Sequence, residues 1–432
     1  MPIYANKEAK EFWEALPVSK RSRSLAATHF PILGENKDDK EWRKATCEQI
    51  RNAAANAAKA TSHQTFLSRL VEEGAVSVFA KLEARLILNA GDGVIENGGI
   101  SLDRNSGLPC IPGSAIKAAA RRWAIQQLGE CDSEEECAKL LAQIAITFGY
   151  GDTEWKSGRD SKYHHSHSDF WLAMVPITTP GQEHDEFRSA KWSKVSEAAA
   201  NILFETLNTT PGEPDQPLAR QLPNLKGCVH FIPAFPVNTA KVEIDILTPH
   251  HTNYYSNKQA VATDDENPIP IFFPTVAKGT SYQFVIQSSE TTAASISHLE
   301  VAKSWLIEAL TILGLGAKTN AGYGWFSIDQ SAQQRADNES RKQAEAIAKE
   351  KRLATLAPED RAQEELKELS HEDFVRIIKN LENEEPDRQK VVCLMLNRSK
   401  KAEWKDWKRA KKWKDRIPVI RRIAQTHDIE LS

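Results

Sequence analysis

Glycine is distributed so unevenly that it divides the chain. All 20 glycines fall at or before Gly324, and none occurs from Trp325 to Ser432, where only three prolines are found. Such a segment has few residues that can turn sharply or take left-handed backbone, so it is expected to be helical. Ser370 and Asp373 within it have capping-box spacing, and Phe374, Ile377, Ile378 and Leu381 form an apolar stripe at helical period. The charged, alanine-rich stretch over about 331–365 reads as an exposed helical spacer. A boundary is placed near 330, leaving a helical C-terminal extension over 331–432 with a basic, tryptophan-rich end.

The glycine-bearing part has mixed periodicity. Residues 1–75 read as a helical N-terminal region, with Phe66, Leu67, Leu70 and Val71 as a stripe. Val76, Val78 and Ala80 alternate and open a strand over about 76–90. A glycine-rich loop follows, then a helix starting at Ser114 (AIKAAARRWAIQQL) and stopping at Gly129, with Ala115, Ile116, Ala119, Trp123 and Leu128 as its expected buried stripe. A second helix is expected over about 133–146. Residues 152–226 look like a polar insertion with one helix near 189–207; four prolines between Pro211 and Pro223 preclude a regular element there. Strands are expected at 227–237, 241–249, 268–276 and 280–289, an amphipathic helix at 295–313, and a final strand after Gly324. The order strand, helix, paired strands, helix, strand predicts an α+β fold with a ferredoxin-like (RRM-like) core over 76–330.

Two segments carry chemistry. In GLGAKTNAGYG, Gly314, Gly316, Gly322 and Gly324 permit positive φ and close approach of backbone amides to a phosphate, while Lys318 adds charge. Thr319 and Asn320 add hydrogen-bonding groups, and Tyr323 offers a ring on which a base could stack. The lysine lies inside the glycine run and the segment follows a helix, so it is no Walker loop. In GLPCIPGSAIKAAARR, Pro109 and Pro112 hold the chain extended, Gly113 turns it, and a helix opens at Ser114 with Lys117, Arg121 and Arg122 in its first turns. A row of cations there suits a sugar–phosphate backbone. The bland alternatives are a plain glycine turn and a solvated basic face.

In this order, IPGSAIKAAARR and GLGAKTNAGYG resemble signatures of the RAMP superfamily of CRISPR-associated proteins. Within it the likeness is to the sixth-subunit family of the Cmr (type III-B) complex. EIDILTPHHTNYYS (243–256), the proline-rich strand that follows it and VIENGGISLD (94–103) are similar as well, so the likeness covers about 76–327. Ala118 stands where the family usually has glycine. The resemblance implies a ferredoxin-like RAMP core and a structural subunit that is not an enzyme. Such a subunit grips the 3′ side of a guide RNA and caps the backbone filament of an antiviral ribonucleoprotein. Its partners would be guide RNA, target RNA and other Cmr subunits. RNA contacts are assigned to Ser114, Lys117, Arg121, Arg122, Gly314, Gly316, Lys318, Thr319, Gly322, Tyr323 and Gly324. His250, His251, Tyr254 and Tyr255 are assigned to RNA or to support of the strand.

The rival reading is a RAMP endoribonuclease acting on guide precursor or target. His29, His250 and His251 are its candidate acid–base groups, and Asp92 or Asp103 its loop aspartate, but no motif singles any of them out. His164, His165 and His167 cluster without a cysteine partner and read as loop histidines, so neither metal nor cofactor is expected. Net charge is −3, yet Asn397–Arg422 holds 12 Lys/Arg against 3 Asp/Glu. Trp404, Trp407 and Trp413 sit in this run either as a packed stripe or as rings beside cations in an RNA or subunit contact. Six scattered cysteines without a CxxC pair suggest reduced thiols. No apolar run approaches the roughly 20 residues of a membrane span, and the N-terminus lacks the apolar core of a secretory signal; a cytoplasmic location is expected.

Overall fold

The computed structural model describes residues 7–28, 40–53, 57–91, 99–155, 169–173, 183–237, 240–248, 251–263, 270–289, 293–367 and 369–431. The chain divides into two units, 1–337 and 338–432. In the first unit, helices α1 (Lys40–Asn52) and α2 (Ala57–Glu72) precede strand β1 (Val76–Leu82). After it come α3 (Gly113–Leu128), α4 (Glu134–Phe148) and α5 (Glu183–Thr206). Strands β2 (Val229–Phe231), β3 (Val242–Leu247), β4 (Ile271–Val276) and β5 (Ser281–Ser288) follow, then α6 (Ala293–Glu308) and β6 (Phe326–Ile328).

The central sheet is antiparallel, in the order β2-β5-β1-β6. With α3 between β1 and β2, and α6 between β5 and β6, this is the ferredoxin-like arrangement that the element order predicts. Alternation in β1 sends Val78, Ala80 and Leu82 into the core with Tyr282, Phe284 and Ile286 of β5 and Phe326 of β6. Helices α3 and α6 pack together and bury Ile116, Ala120, Ala124, Ala302 and Leu306. The buried stripe of α3 therefore runs through Ala120, Ala124 and Ile125, while Ala115, Ala119 and Trp123 are half-buried at its margin. β1 is shorter than the alternation suggests, because the chain bends after Leu82 and Leu86 bridges to Val276 of β4.

Gly113 is the first residue of α3 rather than a turn before it. A Cβ there would lie 2.1 Å from the carbonyl oxygen of Phe231, so glycine is what lets the helix start against the backbone of β2. β3 and β4 form a separate ribbon, in register from Val242↔Val276 to Leu247↔Ile271, and α1 packs on it. Trp13, Trp42, Cys47 and Ile50 close a satellite core against Val242.

The described part of 152–226 is packed, not appended. α5 is longer than expected and packs on α4, burying Val195, Ala199 and Leu203 in the main core beside Trp155, Phe170 and Trp192. The second unit is helical: α7 (Pro358–Lys367), α8 (His371–Lys379), α9 (Pro386–Asn397), α10 (Lys401–Arg409) and α11 (Ile417–Thr426). Ser370 caps α8, accepting from the Asp373 amide at 3.1 Å, and Phe374, Ile378 and Leu381 are buried as their spacing predicts.

Candidate nucleic-acid interface

The glycine loop begins where α6 widens into a π turn over Ala309–Leu313, closed by the Gly314 amide donating to Ala309 O at 2.9 Å. Two glycines then let the loop pack on backbone. A Cβ on Gly316 would lie 2.5 Å from the Ile87 carbonyl oxygen, and one on Gly324 would lie 1.9 Å from that of Leu315. The approach is cemented by Ala317 N donating to Ile87 O (3.0 Å), Leu315 N to Gly324 O (2.9 Å) and Gly324 N to Arg85 O (2.8 Å). What these absent side chains admit is the protein's own main chain. Gly322 differs: it is exposed, has φ +92° and has open space where a Cβ would be. Lys318 is exposed and left-handed at φ 59°, held there by the short helical turn Thr319–Ala321.

Between this loop, α3 and the segment after β1 lies a cavity of about 500 Å³. Ala115, Ala118, Ala119 and Arg122 line it from α3; Gly314, Gly316, Ala317 and Thr319 from the loop; and Leu88–Gly91 from the third side. The two motif segments, nearly 200 residues apart in the chain, thus share one wall. Small side chains keep the cavity open, and Ala118, at the family's usual glycine position, is part of its surface. Arg122 is exposed and is the sole titratable group among the described lining residues.

The expected row of three cations on α3 is split by helical geometry. At about 100° per residue, Ala115, Ala118, Ala119 and Arg122 share one face, while Lys117 and Arg121 lie on another. Arg121 is committed elsewhere: its guanidinium pairs with Glu154, donates to Asp169 Oδ2 at 2.9 Å and lies 5.0 Å from the ring centre of buried Phe170. These contacts tie α3 to residues 152–155 and 169–173. Lys117 lies beside it; burial and the Arg121 charge hold its ammonium below the ordinary lysine range, against an opposing pull from Glu154. Ser114 is exposed in the first turn but does not line the cavity.

Tyr323 is anchored rather than offered as a free stacking ring. Its hydroxyl donates to Asp245 Oδ2 at 2.8 Å, and its ring lies 6.4 Å from Phe273. Arg85 joins the same carboxylate at 2.9 Å and Glu243 at 2.8 Å, linking the end of the glycine loop to β3. Burial and then this hydrogen bond push the Tyr323 hydroxyl up. Asp245 is held below its ordinary value, because the bonds from Tyr323, the Ile246 amide and Arg85 outweigh a burial that works the other way. Tyr254 and Tyr255 are exposed on a short turn after β3, Tyr255 at 78%, and meet edge to face at 5.5 Å; neither lines the cavity. His251 is half-buried at the start of that turn, and its carbonyl accepts from the Tyr255 amide. His250, His29, Asp92 and the histidines at 164, 165 and 167 lie outside the described residues.

Asp103 does structural work. One oxygen, Oδ2, accepts from the Ser106 amide and hydroxyl, both at 2.7 Å, and lies 3.1 Å from His63 Nε2. His63 in turn stacks on Phe235 with ring centres 4.0 Å apart. Burial works against the carboxylate, but the Ser106 bonds and His63 outweigh it and hold Asp103 below its usual value. Sequence reasoning missed Arg85 and Asn89. The signal for Asn89 was available: Asn tolerates left-handed backbone, and here it sits at φ 61° in the segment that follows the Leu86 bridge.

In the C-terminal unit the tryptophans resolve as packing. Trp404, Trp407 and Trp413 are 1%, 8% and 2% exposed, and the rings of Trp407 and Trp413 stack with centres 4.7 Å apart. A stacking surface for RNA bases is therefore not what these rings provide.

The RAMP superfamily model matches residues 91–327, from the loop before α3 to the middle of β6. The chain belongs to the RAMP superfamily. Among curated relatives, it is 28% identical over 273 residues to the CRISPR system Cmr subunit Cmr6 of Pyrococcus furiosus, spanning 61% of this chain and 70% of that one. Similar solved structures include a cryo-EM structure of the type III-B Cmr-beta complex bound to cognate target RNA. That chain is 17% identical, with a TM-score of 0.34 over 69% of this chain and 77% of the other. The crystal structure of Cmr6 from Pyrococcus furiosus is 23% identical, with a TM-score of 0.27 over 59% and 97% of the two chains. The family match ends before the C-terminal unit begins.

Proposed function

We propose that this chain is an RNA-binding, non-catalytic subunit of a type III-B CRISPR effector complex, holding the 3′ side of the guide RNA at the end of the backbone filament. The observation that carries the reading is the cavity built jointly by α3 and the glycine loop. Its Arg122, together with exposed Lys318 on the loop beside it, offers two cations to a sugar–phosphate backbone. Gly322, open and exposed, presents loop backbone without a side chain in the way. The likeness to a Cmr6 subunit supports other Cmr subunits as partners.

Two features support binding over cleavage. No described lining residue is a histidine, aspartate or glutamate, so none of them supplies a general acid or base. Asp103, the described loop aspartate, is satisfied by Ser106 and His63.

The test uses purified chain and labelled CRISPR-repeat RNA. The RNA is expected to be retained and to stay intact over hours. Arg122→Ala with Lys318→Ala should weaken retention about 10-fold or more at roughly 0.1 M salt, since each lost phosphate contact removes about 0.7 from the salt slope. Ala118→Phe, which fills the cavity and leaves the charge unchanged, should weaken it too. Cutting of the RNA that disappears in His251→Ala would sink the binding reading and favour the nuclease.

A further inference from the structure

The C-terminal unit segregates its charge. Residues 356–397 hold 6 Lys/Arg against 11 Asp/Glu, a net −5, whereas residues 398–422 hold 12 against 3, a net +9. Of those 12 cations, Lys400 and Arg416 make described ion pairs, with Glu403 and Glu382. On α10 the arrangement is regular. Lys401, Lys405 and Arg409 are exposed at successive i+4 positions, whereas Trp404 and Trp407 are buried. Steps of four residues space them about 6 Å apart along the helix. The turn that follows adds exposed Lys411 and Lys414. The Trp407–Trp413 stack pins this turn to the helix, so the cations stand on a packed base and not on a frayed end.

We propose that the exposed face of α10 and its following turn is a sequence-independent RNA-binding surface, engaging the phosphate backbone without stacking on bases. The surface itself argues for this partner. A protein contact would be expected to centre on an exposed aromatic or apolar anchor, and a membrane-surface helix needs an outward apolar face. Here the rings of α10 are buried inside the unit, and the other exposed residues of the helix are Ala402 and Asp406. A stripe of fixed positive charge with no apolar companion matches a polyanion, and RNA supplies one charge per nucleotide.

The experiment measures binding of the full chain to a single-stranded RNA of mixed sequence across a salt series. Lys401→Gln/Lys405→Gln/Arg409→Gln should lower the slope of log affinity against log salt by about 2, and the affinity roughly 100-fold at about 0.1 M salt, at roughly 0.7 per lost contact. The same factor is expected in an Arg122→Ala/Lys318→Ala background, which separates this surface from the cavity on the RAMP core. Lys401→Arg/Lys405→Arg should bind like the parent, and the melting temperature should be unchanged in all variants. Should the glutamine triple lower the melting temperature, Lys411→Glu/Lys414→Glu in the turn tests the same surface and should weaken binding at least as much per residue. An affinity within twofold of the parent and an unaltered salt slope would overturn the proposal; so would a loss in the triple that the turn variant does not reproduce. A surface that serves an acidic protein instead would give that unaltered RNA result.

Discussion

Helices α3 and α10 carry the same local signal and put it to opposite uses. Each has cations at i and i+4 beside aromatic residues: Lys117 and Arg121 in one, Lys401 and Lys405 in the other. On α3, Glu154, Asp169 and Phe170 arrive from the 152–173 region and absorb the guanidinium, leaving Arg122 on a different face to meet the cavity. On α10 the aromatics go under the helix and the cations stay in solvent. Periodicity says which residues share a face. Whether a carboxylate from a distant segment will occupy that face is a tertiary matter.

The largest effect that would break this contrast lies beneath α10. Trp404→Ala removes a ring that is 1% exposed and should cost about 3–5 kcal/mol, melting the C-terminal unit ahead of the RAMP core in calorimetry. Lost RNA affinity with unchanged melting would instead make Trp404 a stacking residue. Next comes the clamp on α3. Arg121→Ala strands the partly buried Glu154 and should cost about 1–2 kcal/mol in thermal unfolding. RNA affinity measured well below the melting temperature should change less than twofold; a loss as large as that of Arg122→Ala would return Arg121 to the interface. The smallest effect belongs to its neighbour. Lys117→Gln gives up an ammonium already disfavoured by burial and by Arg121, so stability should stay within about 0.5 kcal/mol. A larger destabilisation in a urea titration would show that Lys117 shares in the clamp.

Much of the RAMP core was legible in advance because its elements announce themselves locally. The alternation of β1 and the order of the six core elements lead to the sheet that forms. The glycine loop was legible as a site but not in its workings. Positive φ at Gly314, Gly316, Gly322 and Gly324 follows from residue type. That Gly316 and Gly324 make room for the carbonyls of Ile87 and Leu315 depends on which segment lies alongside. The anchoring of Tyr323 is hidden from the sequence for the same reason: its acceptor, Asp245, comes from a ribbon 78 residues away. The 152–226 region read as an insertion from its prolines and polarity, yet Val195, Ala199 and Leu203 bury it in the core, because one face of a long helix outweighs the composition of the rest.

By itself the sequence determined where backbone could turn, which stretches would be helix or strand, and that two motif segments would frame a ferredoxin-like core. Those are properties of residue type and spacing along one chain. Only the tertiary structure decided that Arg122 rather than Arg121 faces the cavity, that Asp103 is satisfied by Ser106 and His63, and that the tryptophans of the basic tail point inward. Each of those outcomes depends on a partner far away in sequence, and a polar or aromatic side chain takes its role from whichever partner satisfies it on burial.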